Sequence, residues 1–510
     1  SGAVPAGIYV TSSSEQCRFI LDHCKATVLF VENRKQLAKI KEVWDELPQL
    51  KVVVLMEGRD TADRVYSWED AVSAAVNFDE VDLGKRIAAQ KSGDVATLVY
   101  TSGTTSNPKA VMLTHRNLTW IAEVAANKEF MLTTEDVLVS YLPLSHVAEQ
   151  ITTIHAPILA GSCVCFAESI ELLGENLREI RPTLFLGVPR VWEKIQAKIM
   201  EKSATAGFFK SVIAKWARSV ALRYAEVPTQ DLKKGVKYQL ADLLVFKKAR
   251  KALGLDRCRL QATAAAPISM ETLNFFASLN IPLYEIYGMS ECAGPTTISK
   301  PGQYKRGTVG RPILGSEVKI AEDGEILIRG QHVFSGYLHS AEVTREVLGA
   351  DGWLRTGDIG EFDEEGYLAI TGRKKNILIT AGGENIAPEM LENKLNSVSC
   401  VEHAVVIGDK KKYLTSLLTI NWDLAQLELK SINSKAKTLK EACHCSRFQE
   451  LIHDRIVKLN KTVARVQTIK KFKLLPTIFS ENSGELTPTM KIKRQVIVAK
   501  YQKEIDSMYQ

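Results

Sequence analysis

The chain has 510 residues, of which 45% are hydrophobic and 25% are charged. This length exceeds what one hydrophobic core supports, so we expect two to four domains of an ordinary globular kind. The net charge of +7 is mild for this size and argues against a nucleic-acid-binding protein, and the sequence lacks the apolar run of about 18 residues that a membrane helix needs.

The start of the chain and its cysteines bear on the compartment. Ser1 opens a segment without the basic region and apolar core of a signal peptide, and we expect a cut into a longer protein. Nine cysteines favour free thiols in a reducing compartment. Cys163 and Cys165 alternate in a strand-like run and are predicted to be core residues, while the Cys443-His444-Cys445 run lacks the second ligand pair that a zinc site requires.

Strand-like runs alternate with helix-like stretches through the first half of the chain. The runs that flank a helical pattern are 26–31 and 51–56, 162–167 and 183–188, and 259–265 and 281–288. This alternation predicts α/β architecture with mainly parallel sheets. After Pro295, short β-like pieces with glycine turns predict a smaller antiparallel or barrel-like unit. Mixed signals restart near Asn376, so we place a domain boundary at 372–376.

The segment YTSGTTSNPKAVM (100–112) follows an apolar run, 95–100, that is typical of a buried strand. Six hydroxyl or glycine positions precede Lys109, and such a set suits a polyphosphate. A nucleotide-hydrolysing loop of the GxxxxGK[ST] kind is disfavoured, because Pro108 and Ala110 replace its second glycine and its magnesium-binding hydroxyl. A plain polar turn from a strand into a helix is the remaining alternative.

Four later segments carry groups that complement such a loop. In YGMSE, after a probable strand, Tyr287 can stack on a base and Glu291 can bind Mg²⁺. Asp358 in WLRTGDIG can accept hydrogen bonds from ribose hydroxyls, and Arg373 in TGRKKN can reach the ribose or a phosphate. Lys491 in GELTPTMKIKR lies far away in sequence. Each segment alone is weak evidence, but their order after this loop is highly specific.

With these motifs the chain resembles the adenylate-forming acyl-CoA synthetase superfamily, and within it the bubblegum type of long-chain fatty-acid–CoA ligase. The resemblance covers essentially the whole chain, and LPLSHVAEQ, GVPRVWEKI, ITAGGEN and KYQKEIDSMYQ also carry it. It implies an α/β fold in which residues 1–374 form a large AMP-binding domain of α/β subdomains plus a small β unit, with its start missing. Residues 375–510 would form a small mobile α+β domain, hinged near Lys375.

The resemblance also implies the chemistry. A fatty-acid carboxylate attacks the α-phosphate of ATP to give acyl-AMP and pyrophosphate, and the CoA thiol then displaces AMP. Lys491, Glu291 and Thr101 would be catalytic, with Glu291 the Mg²⁺ ligand. The implied nucleotide-binding residues are Thr101, Ser102, Gly103, Thr104, Thr105, Ser106, Asn107, Pro108, Lys109, Glu285, Ile286, Tyr287, Gly288, Met289, Ser290, Asp358, Arg373 and Lys491.

Two further roles follow from the resemblance. His146 in LPLSH would lie near the fatty-acid carboxylate or gate an acyl tunnel, with a hydrogen-bonded core histidine as the alternative. Gly382 and Gly383 would border the CoA channel, where a missing Cβ permits close approach.

The chain departs from the family pattern at a few positions. Ser106, Ala110 and Ala264 replace usual glycines, and Asn376 replaces an acid. A Cβ at a position that needs positive φ costs about 1–2 kcal/mol. We therefore expect Ser106→Gly with Ala110→Gly to raise adenylation, and we keep as the alternative a catalytically impaired relative that binds nucleotide or an acyl ligand.

Residues 207–251 are the most basic stretch, with eleven lysines and arginines against three acids. Phe208, Phe209, Trp216 and Phe246 are interleaved with these charges. One interpretation is a solvated helical surface whose aromatic residues face the core. The other is docking to an anionic membrane. We expect a cytoplasmic protein, with peripheral contact at the cytosolic face of a membrane such as the endoplasmic reticulum.

Overall fold

The structure is a computed structural model that describes residues 2–74, 79–101, 108–204, 208–225, 235–481, 483–487 and 491–510. The first region forms a parallel sheet of three strands in chain order. Short runs of β-branched and aliphatic residues build it, and the predicted strands at 26–31 and 51–56 are confirmed. The bounds are α1 Ser14–His23, β1 Val28–Val31, α2 Arg34–Lys41, β2 Val52–Leu55, β3 Val65–Ser67, α3 Trp68–Ser73 and α4 Glu80–Ala89.

The polar segment at 100–112 lies in a β-hairpin. Strand β4 (Val95–Thr101) pairs antiparallel with β5 (Lys109–Thr114), and Thr101 is opposite Lys109. The predicted buried strand at 95–100 is confirmed. The predicted alternative of a turn into a helix is wrong, because a second strand follows. A nucleotide-hydrolysing loop also requires a following helix, so this topology excludes it.

The middle of the chain builds a second sheet with spatial order β12-β11-β10-β9-β8, in which β8, β9 and β10 are parallel. Strands β6 and β7 form a separate parallel pair. The strand bounds are β6 Val137–Ser140, β7 Cys163–Phe166, β8 Leu184–Gly187, β9 Leu260–Thr263, β10 Leu283–Met289, β11 Gly294–Ile298 and β12 Arg311–Pro312. The predicted parallel α/β arrangement is therefore confirmed.

Helices cover these strands, and three stretches within them are π-helical: Val124–Glu129, Gln150–His155 and Asp242–Phe246. The prediction that Cys163 and Cys165 are core residues is wrong. Cys163 is exposed and Cys165 is half-buried, because no packed layer fully covers this face of β7 in the described part of the chain. The helix bounds are α5 His115–Glu123, α6 Val147–Glu149, α7 Ala156–Ala160, α8 Leu173–Ile180, α9 Pro189–Ala204, α10 Phe208–Ala225, α11 Val236–Ala241, α12 Lys247–Leu253 and α13 Met270–Ala277.

The region after Pro295 contains the predicted antiparallel β unit, a sheet of order β13-β14-β16-β17. Strand β15 does not join it. It pairs instead with β5, on the side opposite β4, and so extends the hairpin sheet. The bounds are β13 Glu317–Ile320, β14 Glu325–Arg329, β15 Gly336–Tyr337, α14 Ala341–Val347, β16 Leu354–Phe362 and β17 Leu368–Arg373.

The last part of the chain follows a short 3-10 turn, Lys374–Asn376, and has its own apolar cores. A β18–β19 hairpin precedes a three-stranded sheet in which β20 and β21 are antiparallel and β22 is parallel to β21. Among the described residues, no helix is both long and apolar enough to span a membrane. The bounds are β18 Leu378–Ile379, β19 Asn385–Ile386, α15 Pro388–Asn396, β20 Val401–Ile407, β21 Leu414–Ile420, α16 Trp422–Ser431, α17 Leu439–His444, α18 Ser446–Asn460, β22 Ile469–Leu474, α19 Arg494–Lys500 and α20 Gln502–Tyr509.

Candidate active site

Asp358 joins two of the predicted site residues. It lies on β16 directly opposite Arg373 of β17, and the Arg373 Nε is 3.0 Å from its Oδ1. The Tyr287 hydroxyl, at the end of β10, donates to Oδ2 at 2.8 Å. Burial and the Asp358 carboxylate raise the pKa of Tyr287 well above its usual value, so the phenol stays a donor. A carboxylate has about four lone-pair sites, so Asp358 can accept further hydrogen bonds.

Glu291 lies in the 3-10 turn just after β10 and is buried. Its Oε1 accepts a hydrogen bond of 2.8 Å from the Tyr337 hydroxyl. The ammonium of Lys109 lies 5.0 Å from the centroid of the Tyr337 ring. Tyr337 therefore links the end of the polar loop to Glu291. The sequence did not single it out, since only the pairing of β15 with β5 brings it to this place.

Lys491 reaches this cluster from the last part of the chain. Crowding by protein atoms lowers the pKa of Lys491, as does Arg373, while Asp358 and Glu291 oppose that shift. By its accessible surface, Lys491 is nevertheless exposed. The backbone N–H of Lys491 donates to the Thr487 hydroxyl at 3.0 Å. The charged residues predicted from separate motifs thus lie within electrostatic reach of one another.

His146 caps the start of α6 and lies within electrostatic range of Lys491. Its Nδ1 accepts the backbone N–H of Ala148 at 3.2 Å, which leaves Nε2 to carry the proton of the neutral ring. Burial, with a smaller contribution from Lys491, lowers the pKa of His146 to about 4. His146 is therefore neutral at pH 7. The hydrogen bond agrees with the alternative of a hydrogen-bonded histidine, and a role near the carboxylate or the acyl tunnel stays a prediction.

The other predicted residues of the β10 segment make different contacts. The Glu285 carboxylate accepts the Gly307 N–H at 3.0 Å, and burial raises the pKa of Glu285 to about 8. Ile286 lines an apolar cavity. A Cβ at Gly288 would lie 1.9 Å from the Gly294 carbonyl oxygen, which explains the glycine. Met289 pairs with β11 and Ser290 begins the 3-10 turn.

The polar loop is described only at its ends. The Thr101 hydroxyl donates to the Lys109 carbonyl at 3.4 Å, and Pro108 precedes β5. Ser102, Gly103, Thr104, Thr105, Ser106 and Asn107 lie outside the described residues. Their predicted contacts with phosphates stay predictions.

Comparison with known proteins identifies the family. A model of AMP-binding enzymes matches residues 1–338, and a model of the AMP-binding enzyme C-terminal domain matches residues 375–510. The chain belongs to the AMP-binding enzyme family. It is 42% identical, over its whole length and 73% of the relative, to the long-chain-fatty-acid–CoA ligase ACSBG2 of Xenopus laevis. It is 39% identical to ACSBG1 of Rattus norvegicus, again over its whole length and 75% of the relative. The resemblance seen in the motifs is thereby confirmed.

Solved structures of AMP-binding enzymes share the fold. An anthranilate CoA ligase in complex with anthranoyl-AMP has a TM-score of 0.70 at 18% identity, with 99% of this chain and 84% of that chain covered. The adenylation domain of a carboxylate reductase from Mycobacterium chelonae has a TM-score of 0.69 at 21% identity, with 99% and 76% covered. The predicted architecture of a large α/β domain and a small C-terminal domain is confirmed.

The departures from the family pattern have local explanations. Ala110 is in the regular part of β5, opposite Tyr100, and its φ is not positive. Its Cβ is buried with Ile20 and Leu98, so a glycine there would relieve no strain. Relief of backbone strain at Ala110 is therefore no reason to expect faster adenylation from Ser106→Gly with Ala110→Gly. The other half, Ser106, lies outside the described residues.

The remaining two departures differ in kind. Ala264 also has no positive φ, but the next residue, Ala265, has a φ of +75°. The position with positive φ after β9 is thus Ala265, one residue after Ala264, where the family pattern has glycine. Asn376 donates a hydrogen bond to Glu389 Oε1. An acid at position 376 would instead place two carboxylates together, so the amide matches its neighbour.

An apolar cavity of about 40 Å³ lies among β6, β8, β9, β10 and the π-helical stretch that follows α6. Its volume is room for about three water molecules, at roughly 10–15 Å³ each by this measure. Glu149 is its charged lining residue, and burial raises the pKa of that carboxyl. The other lining residues are Phe130, Leu132, Leu138, Val139, Ile151, Thr152, Ala156, Leu184, Phe185, Leu186, Leu260, Ala262 and Ile286.

Proposed function

We propose that this AMP-binding enzyme is a long-chain fatty-acid–CoA ligase, which forms acyl-AMP from a fatty acid and ATP and then transfers the acyl group to CoA. The observation that carries the proposal is the approach of Lys491, from the small domain, to Arg373, Asp358 and Glu291 of the large domain. These two cations and two carboxylates come from distant motifs. Such a set suits a nucleotide, because the cations can stabilise charge when another anion attacks the α-phosphate. The curated relatives with the same activity in their names support it.

In the first half-reaction a carboxylate oxygen of the fatty acid bonds to the α-phosphorus, and the bond from that phosphorus to the bridging oxygen of pyrophosphate breaks. The protein needs no nucleophile of its own. It must hold two anions together and stabilise the charge on the phosphorus oxygens, as Lys491 and Arg373 would do. Lys109, at the end of the polar loop, would hold the phosphates that leave.

Asp358 and Tyr287 would position the nucleoside. The two carboxylate oxygens of Asp358 are already fixed by Tyr287 and Arg373, so the group is oriented before a ligand arrives. Its free lone pairs suit the two ribose hydroxyls. The face of the Tyr287 ring would lie against adenine.

Glu291 would hold Mg²⁺. The Tyr337 hydroxyl occupies one lone pair of the carboxylate, which leaves oxygen ligands for a hard cation. Among the described residues, no group of three or more histidine, cysteine or acidic side chains forms a metal cage. Proteins commonly bind Mg²⁺ through one or two carboxylates together with substrate phosphates. When bound, the ion would neutralise phosphate charge.

In the second half-reaction the CoA sulfur bonds to the acyl carbon, the bond from that carbon to the AMP oxygen breaks, and the thiol proton is lost to solvent. Lys491 would have to leave for the thiol to enter, and the small domain would rotate about Lys375. Lys374 binds Asp323 and Glu325, which would anchor the large-domain side of that hinge. Gly382 and Gly383, at the tip of the β18–β19 hairpin, would border the incoming CoA.

The competing proposal is an impaired relative that only binds nucleotide or an acyl ligand. Its main support was the loss of glycines. Ala110 and Ala264 do not have positive φ, so neither implies a strained backbone. The charged residues Lys109, Glu291, Asp358, Arg373 and Lys491 are all present. These observations favour a working enzyme.

The deciding measurement is fatty-acid-dependent exchange between ATP and labelled pyrophosphate, in the presence of Mg²⁺. We expect exchange with long-chain fatty acids and at least about a hundredfold loss for Lys491→Ala, the scale seen when a group that stabilises transition-state charge is removed. Conversion of preformed acyl-AMP and CoA to acyl-CoA should survive this substitution. Exchange that is absent from the unaltered protein would overturn the ligase in favour of the binding protein.

We further propose that the enzyme docks on anionic membranes through the helix that runs from Val236 to Leu253 across α11 and α12. Its exposed apolar residues are Val236, Leu240, Leu243 and Leu244, with exposed fractions from 37% to 81%. Its exposed lysines are Lys237, Lys247, Lys248 and Lys251. Apolar side chains bordered by lysines suit the interface of an anionic bilayer.

Vesicle flotation tests this surface. Leu240→Ser with Leu243→Ser should abolish flotation with vesicles that contain phosphatidylserine, and high salt should weaken flotation of the unaltered protein. Val81→Ser with Ile87→Ser is the matched control, because these α4 residues are 66% and 58% exposed and Val81 lies between Glu80 and Asp82. Equal flotation of all three proteins, or flotation that ignores lipid charge, would contradict the proposal.

A further inference from the structure

An ion pair that the proposed mechanism does not use joins the two domains. Arg190 lies at the start of α9 in the large domain, and its guanidinium contacts the Oε1 of Glu402 on β20 in the small domain. The Glu402 side chain is only 10% exposed, whereas Arg190 is 41% exposed. A nearly buried carboxylate thus has its countercharge supplied by the other domain.

The small domain prepares Glu402 for this contact. The pairing of β20 with β21 is irregular between Val401 and His403, so a bulge re-aims the side chain of Glu402. The Asn421 amide donates to Glu402 Oε2 at 2.7 Å, which fixes the carboxylate and leaves Oε1 for Arg190. Burial, and then Arg190, lower the pKa of His403 to about 4, so this neighbour is neutral and does not compete for Glu402.

On the large-domain side, Arg190 is held less tightly. Its Nη1 is 3.5 Å from Glu193 Oε2 on the next turn of α9, a weak contact. The guanidinium can therefore follow the small domain or release it. A carboxylate that is fixed in one domain and a half-exposed cation with one weak partner in the other suit a contact that must form and break.

The same domain arrangement brings Lys491 to Asp358 and Glu402 to Arg190. Lys491 and Glu402 belong to different parts of the small domain, so a rotation about the hinge would separate both pairs together. An interaction present in only one of two arrangements shifts the population toward that arrangement.

We propose that Arg190 and Glu402 are a positioning pair that holds the small domain in the arrangement for acyl-AMP formation and releases it for thioester formation. The inference rests on the proposed ligase function. Neither residue needs to touch the substrate. Their effect would be exerted through the position of Lys491.

The two half-reactions, measured separately on the full chain, test the pair. Arg190→Ala and Glu402→Gln should each lower ATP–pyrophosphate exchange about tenfold and leave thioester formation from preformed acyl-AMP unchanged or faster. The double variant should be no slower than either single one, because both remove the same contact. Arg190→Lys should restore part of the exchange. A loss in the two half-reactions alike, or no loss in exchange, would overturn the proposal.

Arg181→Ala is the matched control. Its ion pair with Asp256 joins two segments of the large domain, and its exposure of 46% is close to that of Arg190. Both half-reactions should be unchanged in it.

Trypsin supplies a readout that does not require catalysis. Cleavage at the exposed 373–375 segment should become several-fold faster in Arg190→Ala and Glu402→Gln, but not in Arg181→Ala. If the unaltered protein shows no ATP–pyrophosphate exchange, the ligase function is refuted but the ion pair is not. The cleavage rates would then decide whether Arg190 and Glu402 hold the domains together. Equal cleavage in all variants would overturn the pair even in an active enzyme.

Discussion

Ala265 has a backbone conformation that L-residues with a Cβ avoid, with a φ of +75° directly after β9. Its neighbour Ala264 does not share it, although Ala264 is the position where the family pattern has glycine. A left-handed Cβ costs about 1–2 kcal/mol, and glycine removes that cost while it adds freedom to the unfolded chain. The two alanines should therefore respond to glycine with opposite signs.

We expect Ala265→Gly to raise the unfolding temperature by roughly one to three degrees and Ala264→Gly to lower it by a similar amount, since each change is worth about 1 kcal/mol or less. Thermal unfolding without ligand checks both, and each variant is the control for the other. Shifts of the same sign would show that the φ of +75° is not the source of strain.

At this scale the charged site residues could be predicted, because their chemistry limits the residue type and their motifs are short. Glu291, Asp358, Arg373 and Lys491 lie within electrostatic range of one another, and their roles stay predictions. Tyr337 could not be predicted, because a tyrosine in a β-like run becomes a partner of Glu291 only through the sheet that β15 joins. The positive φ of Ala265 is likewise set by the fold around it.

Among the elements, the π-helical stretch Gln150–His155 connects the site to the apolar cavity. It continues α6, whose first turn His146 caps within electrostatic range of Lys491, and its residues Ile151 and Thr152 line the cavity. π-helical turns are rare and often mark functional positions. A cavity of about 40 Å³ cannot hold a long acyl chain, so this wall would have to move if the tail enters here.

If the fatty-acid tail occupies this cavity, its walls should set chain-length preference. Ala262→Phe adds a ring to the β9 wall and should lower exchange with hexadecanoic acid about tenfold while it spares octanoic acid. Leu138→Ala removes bulk and should raise the ratio of the exchange rate with hexadecanoic acid to the rate with octanoic acid. Thermal unfolding checks that both variants fold. A ratio of the two rates that neither substitution alters would place the acyl chain elsewhere.

The elements themselves were largely predictable from hydrophobic patterns. The runs at 51–56 and 281–288 match β2 and β10 within one or two residues. The burial of Cys163 and Cys165 was predicted wrongly, because alternation reveals a strand but not whether another layer covers it. The π-helical stretches and the partner of β15 also lay beyond the patterns, since both depend on long-range packing.

At the scale of the whole molecule, the 3-10 turn Lys374–Asn376 lies where the match to the C-terminal domain begins, and it makes polar contacts on both sides. Lys374 binds Asp323 and Glu325 of the large domain, while Asn376 binds Glu389 of the small domain. Two residues that are separated only by Lys375 thus bind opposite sides of the turn. The motifs of the family predicted a large and a small unit. The hydrogen bond from Asn376 to Glu389 could not be predicted from them, because it depends on this chain's own side chains.

Asn376→Asp should destabilise the protein in a pH-dependent way. The new carboxylate would face Glu389, and two like charges in contact raise the pKa of the pair. A pKa raised on folding leaves stability intact at low pH and lowers it as pH rises, so the variant should match the unaltered protein near pH 4 and lose about 1–2 kcal/mol by pH 8. Thermal unfolding across this range measures the loss. Glu389→Gln in the same background should abolish the pH dependence, because it removes one of the two charges. A loss that is the same at pH 4 and pH 8 would mean that the missing amide donor, rather than charge repulsion, explains why asparagine suits this hinge.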